Sequence, residues 1–172
     1  MKIRDDFVTN SSSSSFVLAF KDRQDAFNQI DSANGLWGET KATLMSDVLT
    51  ATPIPYSELY AAVAEDIEGE ASWDICYDRS SWCYSSRTDN SLRGKWLRAN
   101  PDRQPYEFYD TDEYKEALKK LSQEYFEEWF KDVGADDYIV MLEYEDHDTV
   151  GSKLEHDILP DCDFTIHRFS HH

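Results

Sequence analysis

Basic side chains are scarce in this sequence: 17 lysines and arginines stand against 35 aspartates and glutamates, a formal charge of −18 at pH 7. A surface of that sign repels phosphate backbones and anionic lipid, which argues against a general nucleic-acid or membrane-surface role. Long apolar runs are missing too, since no stretch reaches the roughly 20 residues that a bilayer requires. Lys2 and Arg4 are followed by Asp5 and Asp6 rather than by the apolar core of a signal peptide. The expected location is therefore the cytoplasm. Cysteine is sparse and odd in number (Cys76, Cys83, Cys162), which is not a disulfide framework. The seven-residue spacing of the first two suits neither a CxxC redox pair nor a zinc knuckle. Six glycines and five prolines exclude collagen-like and low-complexity chains. Those glycines form no phosphate loop, dinucleotide fingerprint or GxSxG elbow.

What is present is the material of a folded domain: 172 residues, 40% apolar and 14% aromatic. Phe16 to Phe20, Tyr138 to Leu142 and Phe164 to Phe169 read as strands. Helices are expected over 22–32, 41–50, from Tyr56 to near Gly69, over 111–132 and around 149–158, with a turn or two at 93–99. The longest has Asp110 or Thr111 as a start signal and Gly134 as a left-handed stop. Its stripe of Leu118, Leu121 and Trp129 is expected to pack on Val140, Leu142 and Ile166. The order of elements suggests an α/β or α+β fold with a small three-stranded mixed sheet against several helices, the last two strands parallel. Residues 1–15 are expected to be a flexible lead, because five small serines offset little of the entropy of ordering them. Residues 16–172 would form a single globular domain.

Charge is unevenly spread. Residues 111–172 carry 6 basic and 17 acidic groups, net −11, whereas positions 79 to 103 hold six basic groups against Asp89 and Asp102. Aromatics interleave with that basic island. Arginine among aromatics is the composition of protein hot spots, so Trp82, Arg87, Arg93, Trp96 and Arg98 are candidate residues for a protein partner. Nucleic acid is the disfavoured alternative, since the remaining charge opposes it.

All five histidines fall in the last 26 residues, among many carboxylates. Imidazole with carboxylate is a ligand set for zinc, manganese or iron. His147, Glu155, His156 and His167 are the candidate ligands of a divalent metal, although no HExxH or HxH spacing supports them.

The opening Asp6-Phe7-Val8-Thr9-Asn10, with Ser11 to Ser15 and Phe16, resembles uncharacterised bacterial proteins in which a DFVTNSSSSSF-type segment precedes differing bodies. That resemblance implies no activity, cofactor or site residue. The leading expectation is a non-enzymatic, acidic intracellular interaction protein without a cofactor. The competing one is a metal-dependent hydrolase built on the late histidines and carboxylates.

Overall fold

The computed structural model describes residues 13–77, 90–145 and 149–171. Its elements follow the chain as β1 (Ser13–Phe20), α1 (Arg23–Ser32), α2 (Gly38–Thr50), α3 (Tyr56–Cys76), α4 (Leu92–Ala99), a 3-10 helix (Pro105–Asp110), α5 (Asp112–Trp129), β2 (Tyr138–Glu145), α6 (Thr149–Lys153), a π-helical turn (Leu154–Ile158), a short 3-10 turn (Leu159–Asp161) and β3 (Thr165–His171). The class is α+β. The chain divides into two compact units, one built from residues 1–58 and 132–172, the other from residues 59–131.

The first unit contains the sheet, ordered β2-β1-β3. The N-terminal strand is central, and both neighbours run antiparallel to it. This corrects the mixed sheet expected from sequence. β2 and β3, each antiparallel to β1, do run parallel to one another as expected, but β1 lies between them, so the sheet has no parallel hydrogen-bonded pair. Strand alternation sends Phe16, Leu18 and Phe20 to one face of β1. There they are buried with Ala26 and Ile30 of α1, Leu44 and Val48 of α2, Val140 and Tyr144 of β2, and Leu154, Leu159 and Phe164. The Tyr144 hydroxyl donates to Asp47 at 2.8 Å, and that of Tyr138 to the Val48 carbonyl at 2.9 Å, fixing α2 to β2. Gly35 and Gly38 turn the chain between α1 and α2 at φ +81° and +58°, conformations that a Cβ would strain.

The serine segment also departs from expectation. Ser13, Ser14 and Ser15 open β1, and Ser14 and Ser15 are buried. Ser11 and Ser12 lie outside the described residues.

The second unit is helical and aromatic. Leu59, Val63, Ile67, Ala71 and Ile75 form one buried row along α3, four residues apart. That row carries the helix past Gly69 to Cys76, beyond its expected end. A side chain at Gly69 would meet nothing, so the residue faces open space and has no stop to impose. Of the two expected start residues it is Thr111 that caps α5, accepting from the Tyr114 amide at 3.1 Å. Gly134 is no left-handed stop, because the positive-φ glycines are Gly35 and Gly38; its amide instead donates to Asp137 at 2.7 Å in a turn. Leu118 and Leu121 pack with Ile75, Cys76 and Phe108. Their expected neighbours Val140 and Leu142 belong to the cluster under the sheet. Periodicity reports which side of a helix is apolar, not what covers it.

Candidate functional site

The residues expected to meet a partner assemble around Arg93. Ser91 caps α4, its hydroxyl accepting from the Gly94 amide at 3.0 Å, which places Arg93 in the first turn. Five residues separate Arg93 from Arg98, and a helix of 3.6 residues per turn turns them apart. Arg93 is 6% exposed, while Arg98 is solvent-exposed. The Arg93 guanidinium lies over the Tyr77 ring, 4.4 Å from its centroid. Its Nη1 donates to the Tyr109 hydroxyl at 3.3 Å. Nε is buried and has no hydrogen-bond partner. Burial by itself would lower the Arg93 pKa, yet its neighbours Tyr77, Cys76 and Tyr109 together outweigh it and the group is held above its ordinary value. The Tyr109 hydroxyl is pushed up, first by burial and then by its bond to Cys76.

Aromatic rings extend this cluster outward. Trp73, one helical turn before Tyr77, stacks on it with centroids 4.3 Å apart and remains 48% exposed. Tyr109 meets Tyr114 edge-on at 5.1 Å and is 37% exposed. Tyr106 is 68% exposed, and residues three apart in a 3-10 helix share a side, so Tyr106 and Tyr109 lie together. Trp96 packs on Phe108 at 5.7 Å and belongs to the underlying core. Hydrogen bonds from Tyr114 to Ser72, at 2.9 Å, and from Tyr125 to Asp74 hold α5 to the same stretch of α3. The structure thus brings Arg93 and Trp96 into one cluster and leaves Arg98 at the surface. Trp82 and Arg87 lie outside the described residues. Trp73, Tyr77 and Tyr109 escaped selection in the sequence, where the four-residue spacing of the first two was their one signal.

The candidate metal ligands come together only in part. Glu155, in the π-helical turn, is fully buried. Its Oε1 accepts from the Ser14 hydroxyl at 2.8 Å and lies 3.3 Å from Arg168 Nη2. Arg168 also donates to the Ser14 oxygen from Nε and Nη2, at 3.1 and 3.0 Å. One hydroxyl therefore gives one bond and receives two, filling its capacity. Glu155 Oε2 has no hydrogen bond, and His156 Nε2 stands 3.7 Å from it. His167 is adjacent to Arg168 in β3, so alternation turns it to the opposite face, where its ring contacts Phe169 at 4.6 Å. Burial lowers its pKa to about 4, so it is neutral at pH 7. His147 lies outside the described residues. Among the described residues no group of three or more His, Cys, Asp or Glu is placed to hold a metal ion.

Burial, with Asp161 and Asp163 adding to it, pushes the Cys162 thiol up to about 11. It stays protonated at neutral pH, the opposite of an activated nucleophile. No protein-family model, curated protein or solved structure matches the chain. Among the described residues no helix is long and apolar enough to cross a membrane.

Proposed function

We propose that this chain is an acidic, intracellular interaction protein without catalytic function of its own, and that it meets a protein partner through the aromatic face of residues 59–131. The observation that carries this reading is Trp73, half exposed yet fixed by stacking on Tyr77. A large ring already held in place loses little conformational freedom on binding, which is why such residues become binding hot spots. Tyr106 and Tyr109 add exposed ring surface in the same unit. The metal-dependent hydrolase draws less support, because Glu155 is already engaged by Ser14 and Arg168.

The test is quantitative partner capture from the source cells with the wild-type chain and with Trp73→Ala and Tyr106→Ala. Loss of a hot-spot ring costs about 2 kcal/mol or more, so a specific partner should be retained at least tenfold less well. Both variants should keep the wild-type denaturant midpoint, since the rings are exposed. Equal retention by all three proteins overturns the assignment of the surface.

A further inference from the structure

We infer that Arg93 is a receptor for a carboxylate carried by the partner, an inference that rests on the interaction surface proposed above. A guanidinium does not give up its proton in a protein, and buried charges are normally paired. Arg93 is an exception. Tyr77 supplies a π-face, the Tyr109 hydroxyl accepts one bond, and Nε–H is buried with nothing to accept it. Among the described residues no carboxylate pairs with this side chain, and the described groups that act on its charge are Tyr77, Cys76 and Tyr109.

The position on the helix points to the same ligand independently. Arg93 is the second residue of the eight-residue α4. The first turn of a helix presents unpaired amides and a partial positive charge, so it disfavours a cation and favours an anion. A carboxylate set there would accept from Nε–H and be favoured by the helix end as well. The guanidinium edge, a planar fork, matches a carboxylate better than a spherical anion such as chloride. Half-exposed Trp73 and Tyr109 border the group through Tyr77 and through the hydroxyl contact. The matching occupant is an acidic side chain of the partner next to an apolar residue, the first reaching Arg93 and the second lying on Trp73.

The experiment follows the Arg93 Nε–H resonance of the full chain by 1H–15N NMR while sodium acetate is added, with sodium chloride at equal ionic strength as the control. The expected result is a saturating shift with acetate, absent with chloride and absent in Arg93→Met. Arg93→Lys should keep the charge but bind acetate at least tenfold more weakly, because the fork is gone. No saturating shift, or the same shift with chloride, overturns the inference, and the wild-type readout stands even if a variant fails to fold. Saturation by inorganic phosphate but not by acetate overturns the carboxylate assignment. If acetate fails while Trp73→Ala still loses the partner, the surface stands and this inference falls. If acetate binds while Trp73→Ala retains the partner, Arg93 stands as a carboxylate receptor and the surface falls.

Discussion

In the sheet-containing unit, the buried Glu155 carboxylate is met by the Arg168 guanidinium and by the Ser14 hydroxyl. In the unit of residues 59–131, the buried Arg93 guanidinium rests on one tyrosine ring and one tyrosine hydroxyl, with Nε left over. The first arrangement is closed apart from one carboxylate oxygen, and it joins β1 to two elements 141 or more residues further along the chain. The second is incomplete. Since desolvating a charge is costly, a closed network argues for a structural role and an incomplete one for a role that a partner completes. Residue type alone does not separate the two sites, because each centres on an arginine, Arg93 buried and Arg168 part-exposed. What separates them is whether a carboxylate among the described residues reaches it.

The largest expected effect breaks the closed network. Arg168→Leu leaves Glu155 buried without its counter-charge and should cost about 3–5 kcal/mol, read from the denaturant midpoint. The double variant Glu155→Leu/Arg168→Leu should recover most of that loss, and a double variant as unstable as the single would mean that the pair is not the relevant unit. Next comes Ser14→Ala, which removes hydrogen bonds to two charged groups and should cost roughly 1.5–3 kcal/mol. Ser13→Ala, on the same strand but part-exposed and outside the network, is the control and should change stability by no more than about 0.5 kcal/mol.

A shallower effect concerns His167. Its folded pKa of about 4 lies below the ordinary 6.5, so the unfolded chain binds more protons between those values. Its contribution to stability is present above pH 6.5 and is lost as the pH falls towards 4. His167→Gln should flatten that part of the stability–pH curve, and an unchanged slope would assign it to other groups. The smallest effect is expected at Arg93. Arg93→Met exchanges an incompletely satisfied buried charge for an apolar chain of similar length, so the midpoint should move by no more than about 1 kcal/mol. A loss near that of Arg168→Leu would show a counter-charge within the chain and erase the contrast.

Much of this fold was legible locally. Ala26 and Ile30 marked α1, the Leu59–Val63–Ile67 row marked α3, and Thr111 marked the start of α5, all signals carried within a turn or two of helix. The sheet was less legible. Nothing near Ser14 announces its hydrogen bond, because its partner Glu155 is 141 residues away. The alternation with Phe16, Leu18 and Phe20 places Ser14 on the core face, but serine content favoured a flexible reading. Strand order was likewise set by non-local pairing. At the candidate sites, composition singled out Arg93 and Glu155, yet it could not tell a paired charge from an unpaired one. That difference depends on residues brought in from other elements.

The central position of β1 has a consequence for synthesis on the ribosome. The strand emerges well before its two neighbours, residues 138–145 and 165–171. Phe16, Val17 and Leu18 must therefore wait, apolar and unpaired, while more than a hundred further residues are added. The continuous stretch 59–131 needs no such delay and can collapse on its own during that interval. Long-range closure of this kind is slow, and unpaired apolar strands are prone to association. The serines that open β1 shorten the apolar run that must wait for the last strand.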